Sequence, residues 1–404
     1  MIKKNTLLFL SSEFLTKGTS FLSVLVVAHF FSKEIFGLLV LYFVAFELLT
    51  IVVSNGINAC ARIDYFEKEE GLFLKSYQAH LANSFLTSLV ILIIGVISFQ
   101  NYRIEIILLS LAAFLRTYFM LSLAVIQCKE LALKYLKLNL FYTILYNSLF
   151  IILLFLGYTV LAWVYAIFSS YLLTSLFSVK FYSNNLTLGL TKLNIKDLKK
   201  QFLEGIIFLP QAIGFWSRTG SERFYLSIFL SLSALGVYSF NFQLSLPIVI
   251  FGTAINIYLT PIIAKLVIIK DLNRVSAEVK KYSYITACAA IAFLLIAYVI
   301  SKTFFYDKYF DSFYLTCWLT LINLSYTMSL LFLNPLYYMG KKKVVSFIVL
   351  CYGLILTIAN YFVVKYFKLE GLIFSTMVIN FGFMVLSYIA LNKNINKFKR
   401  SGIN

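Results

Sequence analysis

The run Gly37–Ala61 reads GLLVLYFVAFELLTIVVSNGINACA and carries one charged residue, Glu47, in 25 positions. Its apolar residues are continuous, with no period-two alternation, so it reads as a helix that is apolar all round and not as a half-buried strand. At about 1.5 Å of rise per residue it can cross about 30 Å of hydrocarbon, a distance that takes roughly 20 residues. Eleven more stretches follow the same pattern on either side. The twelve predicted spans are 6–31, 37–61, 76–99, 104–127, 135–156, 158–181, 203–228, 234–258, 282–303, 312–335, 344–366 and 370–391. The expected fold class is all-α: a polytopic membrane protein of about 12 transmembrane helices. The missing alternation argues against a pore-forming β-barrel.

Composition agrees. Of 404 residues, 61% are hydrophobic and 13% charged, against about 45–50% and about 25% in soluble domains. Seventeen acids and 35 bases are too few to coat the two or three domains that a soluble chain of this length would form. The net charge of +18 would suggest nucleic acid in a soluble protein. Here it points to basic loops on the cytoplasmic side, with no nucleic-acid partner. Sorted by side, the N-terminus, the connections after even-numbered spans and the C-terminal tail hold 25 Lys and Arg, and the opposite connections hold six. The positive-inside rule then places both termini in the cytoplasm. Met1-Ile2-Lys3-Lys4 followed by an apolar run has the look of a signal peptide, but Glu13 and Lys17 interrupt the run. It is read as an uncleaved first span.

The longest connection, 182–202, holds Lys192, Lys196, Lys199 and Lys200. It divides the chain into an N-terminal six-helix lobe (1–181), a basic cytoplasmic linker (182–202) and a C-terminal six-helix lobe with a short tail (203–404). A faint repeat supports the division. Phe36-Gly37-Leu38-Leu39-Val40 opens span 2, and Leu235-Gly236-Val237-Tyr238-Ser239 opens span 8, its counterpart. Parallel repeats of this kind are a transporter architecture.

Several motifs carry a resemblance. Ala28-His29-Phe30-Phe31-Ser32-Lys33-Glu34-Ile35-Phe36-Gly37 resembles the first turn of polysaccharide flippases, where a short polar loop leads into an aromatic-Gly pair. Ser54-Asn55-Gly56-Ile57-Asn58 resembles the end of their second span, and Glu204-Gly205-Ile206-Ile207-Phe208-Leu209-Pro210 the opening of their seventh. Glu222-Arg223-Phe224-Tyr225-Leu226 sits where that family usually has Asp-Arg. Leu235-Gly236-Val237-Tyr238 resembles its Leu-Gly-x-Tyr signature, and Tyr337-Tyr338-Met339-Gly340-Lys341-Lys342-Lys343 its basic loop after span 10; Asn360 and Glu370-Gly371 also fit. In this order, over residues 6–391, the chain resembles the Wzx-type O-antigen and capsule flippases, the polysaccharide branch of the multidrug/oligosaccharidyl-lipid/polysaccharide exporters. The resemblance implies two six-helix lobes around a central cavity. It also implies translocation of undecaprenyl-diphosphate-linked oligosaccharide from the cytoplasmic to the periplasmic leaflet of the bacterial inner membrane. Other partners would be membrane lipid and the polymerase and chain-length regulator of a lipopolysaccharide or capsule pathway.

Charge inside a span costs about 2.5–3.5 kcal/mol on insertion scales, so such residues should face a wet cavity or a partner. Lys17, Arg116, Arg218 and Arg223 are the candidate cationic lining for a diphosphate, which suits the planar fork of arginine. Glu13, Glu47 and Glu222 are candidates for coupling to H⁺ or Na⁺. The competing reading is internal neutralisation: Glu13 with Lys17, and Arg218 with Glu222, each pair at i, i+4 on one helix face. Neither Arg116 nor Glu47 has a counter-charge within two turns on its own span. Asn241, Gln243 and Asn256 are candidates for sugar hydroxyls or, alternatively, for interhelical bonds. Pro210 and Pro247 are hinge candidates.

No Walker loop and no Ser/His/Asp set is present, so neither an enzyme nor a cofactor is expected. Cys60, Cys128, Cys288, Cys317 and Cys351 stand singly, and His29 and His80 lie far apart in sequence, so no metal site is expected either. Two rivals remain. A drug/cation antiporter of the same superfamily should carry an excess of acids in its spans. A polysaccharide polymerase should carry a large outer loop, whereas the outer loops here are all short.

Overall fold

The computed structural model describes residues 4–183 and 193–401. Helices α1 (Lys4–Phe30), α2 (Lys33–Ser54), α3 (Ile57–Glu67), α4 (Glu70–Ser98), α5 (Arg103–Cys128), α6 (Ala132–Phe155) and α7 (Val160–Ser183) come first. They are followed by α8 (Ile195–Ile206), α9 (Leu209–Phe229), α10 (Leu232–Ser245), α11 (Pro247–Ile268), α12 (Leu272–Phe304), α13 (Tyr306–Tyr309), α14 (Phe313–Tyr338) and α15 (Lys342–Ser401). The protein is an all-helical, multi-pass membrane protein. Among the described residues, nine helical stretches are long and apolar enough to cross a bilayer by length and composition. The twelve expected crossings map onto α1, α2, α4 to α7, α9, the α10–α11 pair, α12, α14 and the two halves of α15. α15 is one helix only in name: Lys368 (φ 54°, ψ −144°) breaks it, in the gap expected between spans 11 and 12.

Two boundaries need correction. Predicted span 2 ran to Ala61, but α2 stops at Ser54 because Asn55 (φ 42°) and Gly56 (φ 69°) take the left-handed conformation, and the chain restarts as α3. Predicted span 7 began at 203, but residues 203–206 finish α8, which starts inside the expected linker. Asn194 and Asp197 form a reciprocal capping box at its N-terminus, satisfying backbone donors that an uncapped start would leave open.

The helices form two compact units. Unit 1 holds 1–27 and 41–213; unit 2 holds 28–40 and 214–404. Lipid offers no hydrophobic drive for helices to associate, so packing and polar bonds do the work. In unit 1, Ile57, Ala61, Phe73, Leu74, Tyr77, Leu121 and Val125 form a core between α3, α4 and α5. In unit 2, Leu259, Ile263, Val275, Leu331, Leu336, Val345 and Leu356 join α11, α12, α14 and α15. Large apolar side chains such as Val90, Ile94, Ile291, Leu295 and Phe374 stay exposed, as suits surfaces that face acyl chains.

The corner 28–40 is tied into unit 2 by close contacts. A Cβ on Gly37 would lie 2.0 Å from the Leu232 carbonyl oxygen, and one on Gly236 would lie 2.1 Å from that of Lys33. Each glycine thus faces the carbonyl four residues before the other, a reciprocal crossing of α2 and α10. The Lys308 ammonium donates to the carbonyls of Ala28 (2.7 Å), His29 (3.2 Å) and Phe31, placing a cation at the negative end of α1. His29 Nδ1 lies 3.1 Å from the Phe304 carbonyl.

Candidate functional site

In unit 1 the two charges without a local partner meet each other. Arg116 on α5 grips Glu47 on α2 with both terminal nitrogens, at 2.6 and 3.0 Å. Their side chains are 18% and 30% exposed. The guanidinium also sits 5.4 Å from the Phe46 ring centroid, with Trp163 packed edge-on to Phe46. Tyr142 and Tyr171, stacked 4.6 Å apart, lie within electrostatic reach of the arginine. Lys17 is exposed on α1. The Glu13 side chain lies outside the described residues.

Unit 2 buries more charge and neutralises less of it. Arg218, Glu222 and Arg223 on α9 are 5%, 2% and 8% exposed. The alternative of a direct Arg218–Glu222 ion pair is not realised: neither carboxylate oxygen of Glu222 bonds the guanidinium. Glu222 accepts instead from the hydroxyls of Tyr238 on α10 and, at 3.2 Å, Thr376 on α15. Arg218 donates to Asn323 Oδ1 on α14 at 2.8 Å, and Asn323 donates onward to Ser245 Oγ at 2.7 Å. The Arg218 guanidinium lies 3.8 Å from the Tyr326 ring centroid, a close cation–π contact. Tyr326 belongs to an aromatic stack in which Tyr352 and Phe383 lie 4.2 Å apart. Arg223 donates to the Thr219 carbonyl at 2.8 Å and lies 4.5 Å from the Phe242 ring, while its buried Nε has no hydrogen-bond partner. Two buried guanidiniums therefore stand against one buried carboxylate that neither of them bonds.

Two of the three amide candidates, Asn241 and Asn256, are engaged between helices. Asn241 donates to the Val237 carbonyl and Ser312 Oγ and accepts from Thr316. Asn256 Oδ1 accepts from Asn334 at 2.5 Å. Gln243 is half-buried on α10. Pro210 is the second residue of α9, after the α8–α9 corner, and Pro247 opens α11 at a break in the α10–α11 path. Sequence reasoning passed over Thr376, Asn323, Ser245 and Tyr326, none of which carries a charge. Tyr238 stood in a quoted motif without a role. Among the described residues, no cluster of His, Cys, Asp or Glu is arranged to hold a metal.

No family model matches the chain, and no curated protein matches it. Solved structures do match over nearly the full length. An inward-facing multidrug resistance MATE family transporter of the MOP superfamily aligns with a TM-score of 0.69 at 14% identity, over 98% of this chain and 99% of the other. The outward-facing form gives 0.69 and 14%, over 98% and 97%. The fold is that of a MATE-type transporter. A third neighbour, a MOP superfamily transporter from Pyrococcus furiosus, aligns with a TM-score of 0.68 at 15% identity, over 98% and 96%. Its binding pocket is described as reversed in polarity, suggesting a different function for that protein.

Proposed function

We propose that this protein is an alternating-access transporter that flips an anionic lipid-linked oligosaccharide, of the undecaprenyl-diphosphate class, from the inner to the outer leaflet. The observation that carries the reading is the cation excess buried in unit 2: Arg218 and Arg223 against Glu222 alone, with one guanidinium nitrogen of Arg223 unbonded. An intramembrane charge excess is costly, so it persists where a counter-charge arrives with the substrate. A drug/cation antiporter would want the opposite sign. The reversed pocket polarity described for the Pyrococcus furiosus protein fits a fold that can carry substrates of either charge.

In this reading, Arg218 and Arg223 of unit 2 take the diphosphate. Alternating access would operate in a bacterial inner membrane with both termini cytoplasmic. Glu222 is the favoured coupling group for H⁺ or Na⁺, since its oxygens bond only hydroxyls.

The test is transfer of fluorescent lipid-linked repeat units across proteoliposomes holding the purified protein. Protected label appearing under an imposed ion gradient is the expected result, and loss of transfer in Arg218→Glu the expected control. No transfer by the folded wild-type protein under either gradient overturns the reading. Efflux of organic cations instead would favour the antiporter.

A further inference from the structure

We infer that α8 is an interfacial docking helix that selects anionic lipid headgroups in the leaflet beside it. At 12 residues it is too short to cross a bilayer. Its inner face is fixed to unit 1 by polar bonds. Asn55 Nδ2 donates to the Phe202 carbonyl and Asn83 Nδ2 to that of Leu198, each at 2.9 Å. Gln201 Nε2 donates to Ser76 at 3.0 Å, and Lys75 bridges Asp197 at 2.9 Å. Gly205 packs so closely on Asn55 that a Cβ would sit 2.1 Å from the Asn55 carbonyl oxygen. The helix is thus held in one rotation about its axis, and the outer face is determined.

That outer face has two parts. At about 100° per residue, Ile195, Phe202 and Ile206 form one stripe, and Ile207, just past the helix end, falls on the neighbouring lysine edge. All are exposed, Ile195 to 84% and Ile207 to 73%. Lys199, Lys196 and Lys200 fan out along one edge of the stripe, with Leu203 among them, and all three lysines are exposed. A short helix with an apolar stripe beside an edge of lysines matches the pattern that buries itself at the boundary between headgroups and acyl chains. The lysine stems can lie along the apolar surface while the ammonium groups reach phosphate. Charge complementarity selects the occupant: an anionic lipid surface, which attracts basic residues beside a membrane, rather than a zwitterionic one.

The test places a reporter on the stripe. Phe202→Trp in the full-length protein is reconstituted into phosphatidylcholine vesicles doped with brominated phosphatidylglycerol or brominated phosphatidylcholine. Emission of the parent protein, with its own three tryptophans, is subtracted. Each lysine near an anionic surface is worth about a fivefold gain in partition, so three give up to about a hundredfold. The expected result is quenching by the brominated phosphatidylglycerol at a mole fraction at least about tenfold lower than for the phosphatidylcholine. Lys196→Gln, Lys199→Gln and Lys200→Gln combined should cut that preference to within about twofold at unchanged thermal stability, and the Arg triple should keep it. Equal quenching by the two lipids overturns the headgroup selection. No quenching by either, as when a second copy or a soluble partner covers the stripe, overturns the docking itself.

Discussion

The crossing of α2 and α10 makes the sharpest prediction. In Gly236→Ala the new Cβ would stand 2.1 Å from the Lys33 carbonyl oxygen, where real Cβ atoms keep at least about 3.0 Å. The obstacle is backbone, so no side chain can swing away, and the helices must separate by about an ångström. Overpacking of this kind costs about 1–3 kcal/mol. Gly37→Ala meets the mirror contact, 2.0 Å from the Leu232 carbonyl oxygen, and should cost the same. The two substitutions load one interface from opposite sides. Once either has parted the helices the second finds room, so the double variant should cost clearly less than the sum. The assay is thermal unfolding of the purified protein in detergent, run as the full four-member cycle. At about 2–4 °C per kcal/mol for a unit of this size, each single variant should melt roughly 2–12 °C lower. Singles within about 1 °C of wild type, or strictly additive shifts, would refute the close reciprocal contact.

Other expectations follow from the two charged sites. Glu47→Gln strands the Arg116 guanidinium and should cost about 2–3 kcal/mol, below the 3–5 of a fully buried pair because both side chains keep some exposure. Glu47→Gln with Arg116→Gln should recover part of that loss in the same melting assay. Tyr238→Phe removes one of the two hydroxyls on Glu222 and should cost about 1–3 kcal/mol, and Asn323→Ala, which frees both Arg218 and Ser245, should cost a similar amount. Lys75 holds the Asp197 carboxyl below the usual carboxylate range. Its contribution to α8 docking is therefore complete above the unfolded value, about 3.9, and is lost as pH falls through the lower folded value. Amide protection in α8, corrected for the intrinsic pH dependence of exchange, should fall over that acid range, and Lys75→Met should shrink the step, leaving the part due to the Asn194 backbone.

The fold was legible because continuous apolar runs of crossing length have few alternative uses. Its breaks were less so. Hydropathy carried span 2 through Ile57, Cys60 and Ala61, since apolarity says nothing of the positive φ at Asn55 and Gly56. The linker helix is written in Asn194-x-x-Asp197 with apolar residues at 195, 198, 202 and 206, but the interleaved lysines lower its mean hydropathy below that of a span. In the sites, local spacing misled. Arg218 and Glu222 share a helix face, and the i, i+4 rule pairs them, yet Tyr238, Thr376 and Asn323 from other helices offer better geometry. Arg116 and Glu47 are 69 residues apart, beyond the reach of any single-helix rule.

The corner 28–40 has a consequence for how the chain is made. It is synthesised well before its packing partners, Leu232, Gly236, Phe304 and Lys308, which come roughly 195–280 residues later. At about 5–20 residues per second, the corner waits on the order of ten seconds to a minute before unit 2 exists to receive it. Through that interval α1 and α2 are joined by a turn whose own unit has not been translated. Unit 2 therefore cannot be completed from the later part of the chain alone, because it takes in a segment, 28–40, that is made before the rest of it.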